Sequence, residues 1–222
     1  MGKIVIAHGY GMGAGDHWYS AVGEEFAAEG HEVRIPNFPE PFAPEADVWL
    51  KELEEEAASG PGGVPAGETV LVGHSLGGVN VLRLLQRHDT EAEGAFAGVV
   101  FVASMSGEVG YEALAPFFTP EFDWRKIRRA AREFRVVHAA DDAVTGEKTG
   151  EHVLRCVREL GAQARVTASG GHCPGSGGIR LELPDAVRLI REVLSSSGWV
   201  SADGVADVVD ADEVGGSADA GG

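Results

Sequence analysis

Short apolar segments alternate with helical patterns along most of this 222-residue chain. Five stretches repeat apolar residues at helical spacing, and they span 17–28, 45–58, 76–88, 147–160 and 183–194. Six runs have the length and composition of buried β-strands, and they span 3–7, 32–35, 69–72, 95–103, 134–139 and 164–168. Strands that alternate with helices of this length form βαβ units, in which helices cover both faces of a parallel sheet. We therefore predict an α/β protein with a predominantly parallel sheet of about six strands.

The composition indicates one folded, acidic domain. Hydrophobic residues make up 44% of the chain and charged residues 24%, which is ordinary for a globular protein of this length. The net charge of −17 repels phosphate backbones, so we expect no nucleic-acid partner. Two cysteines are too few for a disulfide framework. The longest apolar stretch, 96–103, is too short to span a membrane, and no secretory signal pattern is visible. We expect a cytoplasmic protein without a membrane partner.

Residues 198–222 differ from the rest of the chain. They contain six acidic residues, six glycines and no lysine or arginine. Such a segment cannot bury enough apolar surface to offset the entropy lost on ordering. We predict a folded domain over residues 1–197 and a disordered acidic tail over 198–222.

The pentapeptide Gly73-His74-Ser75-Leu76-Gly77 follows an apolar run and opens a helical pattern. This is the G-x-S-x-G motif in the strand–turn–helix context of a nucleophile elbow. The turn strains the serine backbone and exposes its Oγ, and a Cβ at either flanking glycine would clash. The helix that follows directs its N-terminal N–H groups toward a developing oxyanion. Ser75 is the candidate nucleophile, and the alternative is an ordinary helix-capping serine.

A serine nucleophile requires a base and an orienting acid, which in this type of fold follow it in the order acid, then histidine. The Asp141-Asp142 pair comes just after the run 134–139, and His172 comes shortly after the run 164–168. The carboxyl ends of parallel strands meet at one edge of a sheet, so these side chains can reach Ser75. We predict that His172 is the general base.

The two aspartates compete for the role of the acid. Hydrolases of this type often carry the acid in an Asp-x-x-Val/Thr-Pro turn. Asp142 has the matching spacing, with Gly146 in the place of the usual proline. The spacing favours Asp142 as the acid and predicts that Asp141 caps the turn, but Asp141 remains an alternative.

An oxyanion hole combines the N–H after the nucleophile with one from the loop after an early strand. These positions are Leu76 and Tyr10. The same loop loosely matches a dinucleotide fingerprint through Gly9, Gly11 and Ala14. The second strand lacks the acidic residue that would bind a ribose, so this alternative is weak. No zinc-type spacing of His or Cys occurs, and we expect neither a metal nor a cofactor.

The interval 106–131 is too long for a simple crossover and could form part of a substrate pocket. Aromatic side chains in or near such a pocket favour apolar groups, although core packing is an equal alternative. The candidate pocket residues are His17, Trp18, Phe118 and Trp124. A basic run could instead select an anionic substrate or simply be a solvated face. Its members are Arg125, Lys126, Arg128, Arg129, Arg132 and Arg135.

Several short segments together resemble the retinoblastoma-binding-protein-nine/YdeN family of small α/β-hydrolases over residues 3–194. They are His8-Gly9, Asp16-His17-Trp18, Ile35-Pro36-Asn37-Phe38-Pro39-Glu40-Pro41, Trp49, Gly73-His74-Ser75-Leu76-Gly77-Gly78, Asp141-Asp142 and Gly170-Gly171-His172. The resemblance implies an α/β-hydrolase fold with a minimal lid, a triad of Ser75, Asp142 and His172, and no cofactor. Two departures affect local loop geometry: Gly146 replaces a proline, and Cys173-Pro174 follows the histidine.

Two function hypotheses follow from these residues. The first is a serine hydrolase that acts on small-molecule carboxylic esters or amides through an acyl-enzyme intermediate. The second is a non-catalytic binding module on a hydrolase fold. The oligomeric state is not predicted.

Overall fold

The structure, a computed structural model, describes residues 1–16, 18–59, 62–172 and 184–196. The predicted domain boundary at residue 197, the tail over 198–222 and the candidate pocket residue His17 lie outside the described residues. Within the described part of the chain, no helix is long and apolar enough to cross a membrane.

Strands and helices alternate along the described chain. In order they are β1 Lys3–Ala7, α1 Tyr19–Ala28, β2 Glu32–Arg34, α2 Ala46–Ala57, β3 Thr69–His74, α3 Leu76–Arg87, α4 Thr90–Glu93, β4 Gly98–Val102, α5 Trp124–Arg129, β5 Phe134–Ala139, α6 Thr149–Leu160, β6 Gln163–Thr167 and α7 Pro184–Ser196. Short 3₁₀ turns precede β3 and α6, and a longer 3₁₀ segment, Glu112–Phe118, lies between β4 and α5.

The six strands form one sheet in the order β2-β1-β3-β4-β5-β6, and every pairing is parallel. The predicted α/β class with a six-stranded parallel sheet is therefore confirmed. Since all strands run the same way, the loops after β1, β3, β5 and β6 emerge at the same edge of the sheet. The four loops that carry the candidate catalytic and oxyanion-hole residues therefore lie at the same edge of the sheet.

Alternate residues of each strand face opposite sides of the sheet and form two cores. Ile4 and Ile6 of β1 pack with α1 and α7, whereas Val5 packs with α2, α3, α5 and α6. The residues of β5 alternate in the same way: Val137 packs on the side of α1 and α7, and Val136 packs on the opposite side of the sheet. Burial on both faces explains why these strands appear in the sequence as continuous apolar runs.

Several elements differ from the sequence prediction, and α5 was not among the predicted helical stretches. β4 is shorter than the predicted 95–103, because Phe96 leaves the ladder for an isolated bridge with Ala131. The short helix α4 was not predicted, and the Asp89 side chain caps it by accepting hydrogen bonds from the N–H groups of Glu91 and Ala92.

Candidate active site

Ser75 lies in the sharp turn between β3 and α3. Its backbone has φ 52° and ψ −124°, a strained conformation for a residue with a Cβ. Hydrogen bonds hold the turn in place. The Ser75 N–H donates to the Val102 carbonyl at 3.0 Å, and the Ser75 carbonyl accepts from the Gly78 N–H at 3.0 Å and the Ser104 hydroxyl at 3.1 Å. The sequence motif thus folds as the expected strand–turn–helix elbow.

The glycines of the motif are required by close backbone contacts. A Cβ on Gly73 would lie 2.3 Å from the Gly78 Cα, and one on Gly77 would lie 2.2 Å from the Ala7 carbonyl oxygen. Neither backbone atom can move without displacing β1 or α3. The strained serine is therefore kept in position by close packing around it.

A line of hydrogen bonds connects Ser75, His172 and Asp142. The Ser75 hydroxyl lies 2.7 Å from His172 Nε2, and His172 Nδ1 lies 3.0 and 2.9 Å from the two carboxylate oxygens of Asp142. The carboxylate can only accept, so Nδ1 carries the proton and Nε2 offers its lone pair to the hydroxyl. This arrangement allows the histidine to take a proton from the serine during attack on a carbonyl.

Asp142 is buried and accepts several hydrogen bonds. Its Oδ1 accepts from the Val144 N–H at 2.8 Å and the Thr145 N–H at 3.3 Å, and its Oδ2 lies 2.9 Å from His138 Nε2. Burial alone would raise the pKa of Asp142, but the hydrogen bonds from His138, His172 and Val144 outweigh it and lower that pKa well below its usual range. The carboxylate is therefore ionised at neutral pH.

Asp141 is exposed and has a different contact. Its Oδ1 accepts a hydrogen bond of 2.8 Å from the Gly171 N–H, next to His172. The prediction that Asp141 caps the acid turn is wrong, because Asp142 caps it with its own Oδ1. Gly146 has φ 52° and donates its N–H to the Asp142 carbonyl at 2.8 Å. Proline could do neither, which accounts for the departure from the usual pattern.

The loop after β1 runs beside Ser75. A Cβ on Gly9 would lie 3.0 Å from the Ser75 Cβ, and Tyr10 lines the same cleft as Ser75. The Gly9 and Gly11 N–H groups on either side of Tyr10 are both engaged, with the Tyr19 hydroxyl at 3.2 Å and the Pro41 carbonyl at 2.8 Å. Leu76 begins α3, where the N–H groups have no intrahelical acceptor.

A buried pair, Tyr19 and His74, links this loop to the histidine loop. His74 Nε2 donates to the His172 carbonyl at 3.1 Å, so its Nδ1 accepts from the Tyr19 hydroxyl at 2.5 Å. The same hydroxyl accepts the Gly9 N–H. The sequence offers His74 only as part of the motif, and nothing in the pattern predicts its contact with Tyr19.

An apolar cleft of about 340 Å³ opens beside Ser75 and His172. The long interval after β4 supplies much of its wall, together with the loop after β1 and the acid turn. The other lining residues are Tyr10, Met12, Met105, Val109, Tyr111, Ala113, Leu114 and Val144. None of these eight side chains is charged. The sequence indicated the interval, but not which of its residues face the serine.

The aromatic residues predicted to line the pocket lie elsewhere. Trp18 is 1% exposed and packs against Tyr19 and His74 in the α1/α7 core. Phe118 and Trp124 line a separate surface depression that also contains Arg155. Trp18 and Phe118 are buried in the two cores, and Trp124 packs partly against one of them, which is the usual fate of such side chains. The predicted pocket role of these three residues is not supported by their positions.

The basic run 125–135 lies away from the cleft and contributes none of its lining. Arg132 binds the Gly67 carbonyl near the start of β3, and Arg135 pairs with Glu133. In the described residues, no group of three His, Cys, Asp or Glu side chains is arranged to hold a metal ion.

Comparison with known proteins gives one family and a consistent fold. The profile of the family described as serine hydrolase matches residues 4–188. The hydrolase YdeN of Bacillus subtilis is 27% identical over 143 residues, which cover 64% of this chain and 72% of YdeN. The YdeN crystal structure has a TM-score of 0.75 at 24% identity, over 88% of this chain and 100% of that one. Est1E from Butyrivibrio proteoclasticus has a TM-score of 0.65 at 11% identity, over 88% of each chain.

Proposed function

Because the chain belongs to the serine hydrolase family, we propose that it hydrolyses carboxylic esters or small amides through an acyl-enzyme formed on Ser75. The observation that carries this proposal is the continuous hydrogen-bonded line from the Ser75 hydroxyl through His172 to the buried Asp142 carboxylate. The same line lies at the wall of an open cleft that a small substrate can enter.

The proposed reaction has two halves. Ser75 Oγ attacks the carbonyl carbon while His172 Nε2 takes the hydroxyl proton, and the N–H groups of Leu76 and Tyr10 bind the resulting oxyanion. The bond to the leaving alcohol or amine then breaks, and His172 donates that proton to it. Water next attacks the acyl group on Ser75 with His172 again as base, which releases the acid and restores the hydroxyl. Asp142 keeps the imidazole in the required tautomer throughout.

The cleft favours an uncharged, apolar acyl group. Its methionine, valine, leucine and tyrosine side chains carry no positive charge to pair with a carboxylate, which would lose hydration on entry. Met12 and Met105 provide flexible, polarisable walls that adapt to different apolar shapes. This supports the apolar alternative over an anionic substrate selected by the distant basic run.

A matched pair of esters tests this preference. We expect kcat/KM for 4-nitrophenyl butyrate to exceed that for 4-nitrophenyl hemisuccinate by roughly tenfold or more, since burying a carboxylate without a positively charged partner costs at least as much as burying a neutral polar group without a hydrogen bond, about 1–3 kcal/mol. The net charge of −17 repels the anionic ester, so the ratio should fall, if it changes, at high salt. A preference for the hemisuccinate that disappears at high salt would instead assign selectivity to the basic run.

The proposed nucleophile can be identified by covalent labelling of the full chain. A fluorophosphonate probe should react stoichiometrically, and mass spectrometry of the digested protein should place the adduct on the peptide that contains Ser75. An adduct on another serine would contradict the assignment. Failure of the folded protein to react, together with a thermal shift on ligand addition, would favour the binding-module hypothesis.

We also propose that residues 1–197 form the hydrolase domain and that the acidic segment 198–222 lies outside it. The family match to residues 4–188 supports this division.

A further inference from the structure

The Asp142 carboxylate contacts a second histidine besides His172. His138 lies near the end of β5, and its Nε2 is 2.9 Å from Asp142 Oδ2. Both side chains are fully inaccessible to solvent. A single buried carboxylate thus lies between two imidazoles, and the proposed reaction uses only one of them.

The surrounding hydroxyls determine which nitrogen of His138 carries the proton. Thr149 Oγ1 donates to the Gly146 carbonyl at 2.8 Å, so in its 2.6 Å contact with Thr145 Oγ1 the Thr145 hydroxyl is the donor. Thr145 Oγ1 therefore presents a lone pair to His138 Nε2 at 3.2 Å. Both neighbours of Nε2 are acceptors, so Nε2 carries the hydrogen and donates to Asp142.

In the part of the chain that the structure describes, the other nitrogen of His138 makes no hydrogen bond that would explain a histidine here. Among the described residues, Nδ1 is buried without a hydrogen-bond partner. An unpartnered buried nitrogen destabilises the fold relative to an apolar side chain of similar size. The hydrogen bond from Nε2–H to the Asp142 carboxylate is therefore the contact that favours a histidine over an apolar residue at this position.

We propose that His138 is a positioning residue, whose Nε2–H holds the Asp142 carboxylate in the orientation that serves His172. The proposal rests on the proposed function of Ser75, His172 and Asp142. With Oδ1 held by the Val144 and Thr145 N–H groups and Oδ2 held by His138, the carboxylate plane is fixed at both ends. His172 then meets a partner that cannot rotate away.

A second consequence concerns how strongly Asp142 attracts the His172 imidazolium. A donor on Oδ2 draws negative charge away from His172, so its removal should favour the protonated, inactive imidazolium. Among the described residues, the titratable groups that face His138 are Asp142 itself, His172 beyond the carboxylate, and His152 on α6, the helix packed on this face of β5. Burial lowers the pKa of His152 to about 4, so that ring is neutral near pH 7.

The test compares His138→Leu with His138→Gln in the full chain. The leucine removes the donor and keeps the site filled, whereas the glutamine amide can place an N–H near the position of Nε2. We expect His138→Leu to lower kcat/KM for 4-nitrophenyl butyrate roughly ten- to one-hundredfold, the effect of losing one hydrogen bond to a charged group. The acid limb of its pH profile should move to higher pH by about half a unit or more. His138→Gln should recover most of both losses.

His152→Leu is the matched control, since His152 is also buried and, among the described residues, also has an unpartnered nitrogen, but no hydrogen bond joins it to Asp142. It should leave the acid limb in place, and circular dichroism melts should show that all variants are folded. Wild-type kcat/KM and an unmoved limb in His138→Leu would overturn the proposal. The proposal would also be overturned if His138→Leu and His138→Gln lost kcat/KM equally and the acid limb of the pH profile did not move. That result would indicate that His138 acts only through packing. Reaction of wild type with the fluorophosphonate at Ser75 keeps either failure separate from the proposed function.

Discussion

Replacing Ser75 with alanine is expected to lower kcat for 4-nitrophenyl butyrate by about 10⁵- to 10⁶-fold, the loss typical of removing a serine nucleophile. The hydroxyl hydrogen-bonded to His172 Nε2 at 2.7 Å is the only atom of Ser75 assigned to bond formation. Alanine keeps the Cβ, so the strained turn and the cleft walls should remain. Initial rates on purified protein, with a thermal melt to confirm folding, measure the effect.

Ser59→Ala is the appropriate control, because Ser59 is an exposed serine whose hydroxyl donates to the nearby Val64 carbonyl, away from the cleft. Its activity should match wild type within a factor of about two. Substrate binding should persist in Ser75→Ala, visible as a thermal shift with a non-hydrolysed ester analogue. Retention of wild-type turnover by Ser75→Ala would refute the acyl-enzyme mechanism.

The second large effect is expected from Asp142→Asn, which should reduce kcat by about 10⁴-fold. The asparagine has no charge to stabilise the imidazolium. It has one acceptor oxygen, while His138 and His172 both direct N–H groups at this side chain. Its NH₂ group would therefore face a donor or force His172 into the wrong tautomer. Single-turnover and steady-state rates with the same ester check this prediction.

Asp141→Asn provides a control at the adjacent position. Asparagine Oδ1 can still accept the Gly171 N–H that Asp141 now binds at 2.8 Å. Activity should fall by no more than a few-fold. If Asp141→Asn were the severely impaired variant and Asp142→Asn were not, the two aspartates would have exchanged roles.

The fold and the position of the candidate active site could be predicted, because both follow from short-range patterns in the sequence. Apolar runs of strand length and helices of matching length imply a parallel sheet, and in such a sheet the loops after β3, β5 and β6 must meet at one edge. Ser75, Asp142 and His172 follow those strands closely. The structure brings them within hydrogen-bonding distance, and their roles remain predictions until the variants are assayed.

The cleft and its supporting contacts could not be predicted, because they depend on packing between distant segments. Met105 and Leu114 lie in a stretch without strand or long helical periodicity, so the sequence pattern does not predict that their side chains face the cleft. Trp18 looked like a pocket residue because it is aromatic and close to the loop after β1, yet its ring is buried behind that loop. His138 was hidden inside an apolar strand. Its position four residues before Asp142 was the available signal.

The strands that precede Ser75 and His172 differ in how deeply they are buried. β6 is one of the two edge strands of the sheet, and Gln163, Ala164, Arg165 and Val166 are all exposed. Ser75 follows β3, which is buried along its whole length. Edge elements with few buried contacts open locally at a lower free energy than the core. We therefore expect His172 to separate from Ser75 in partial openings that leave the elbow intact, so that under mild denaturant the nucleophile loses its base before the domain unfolds.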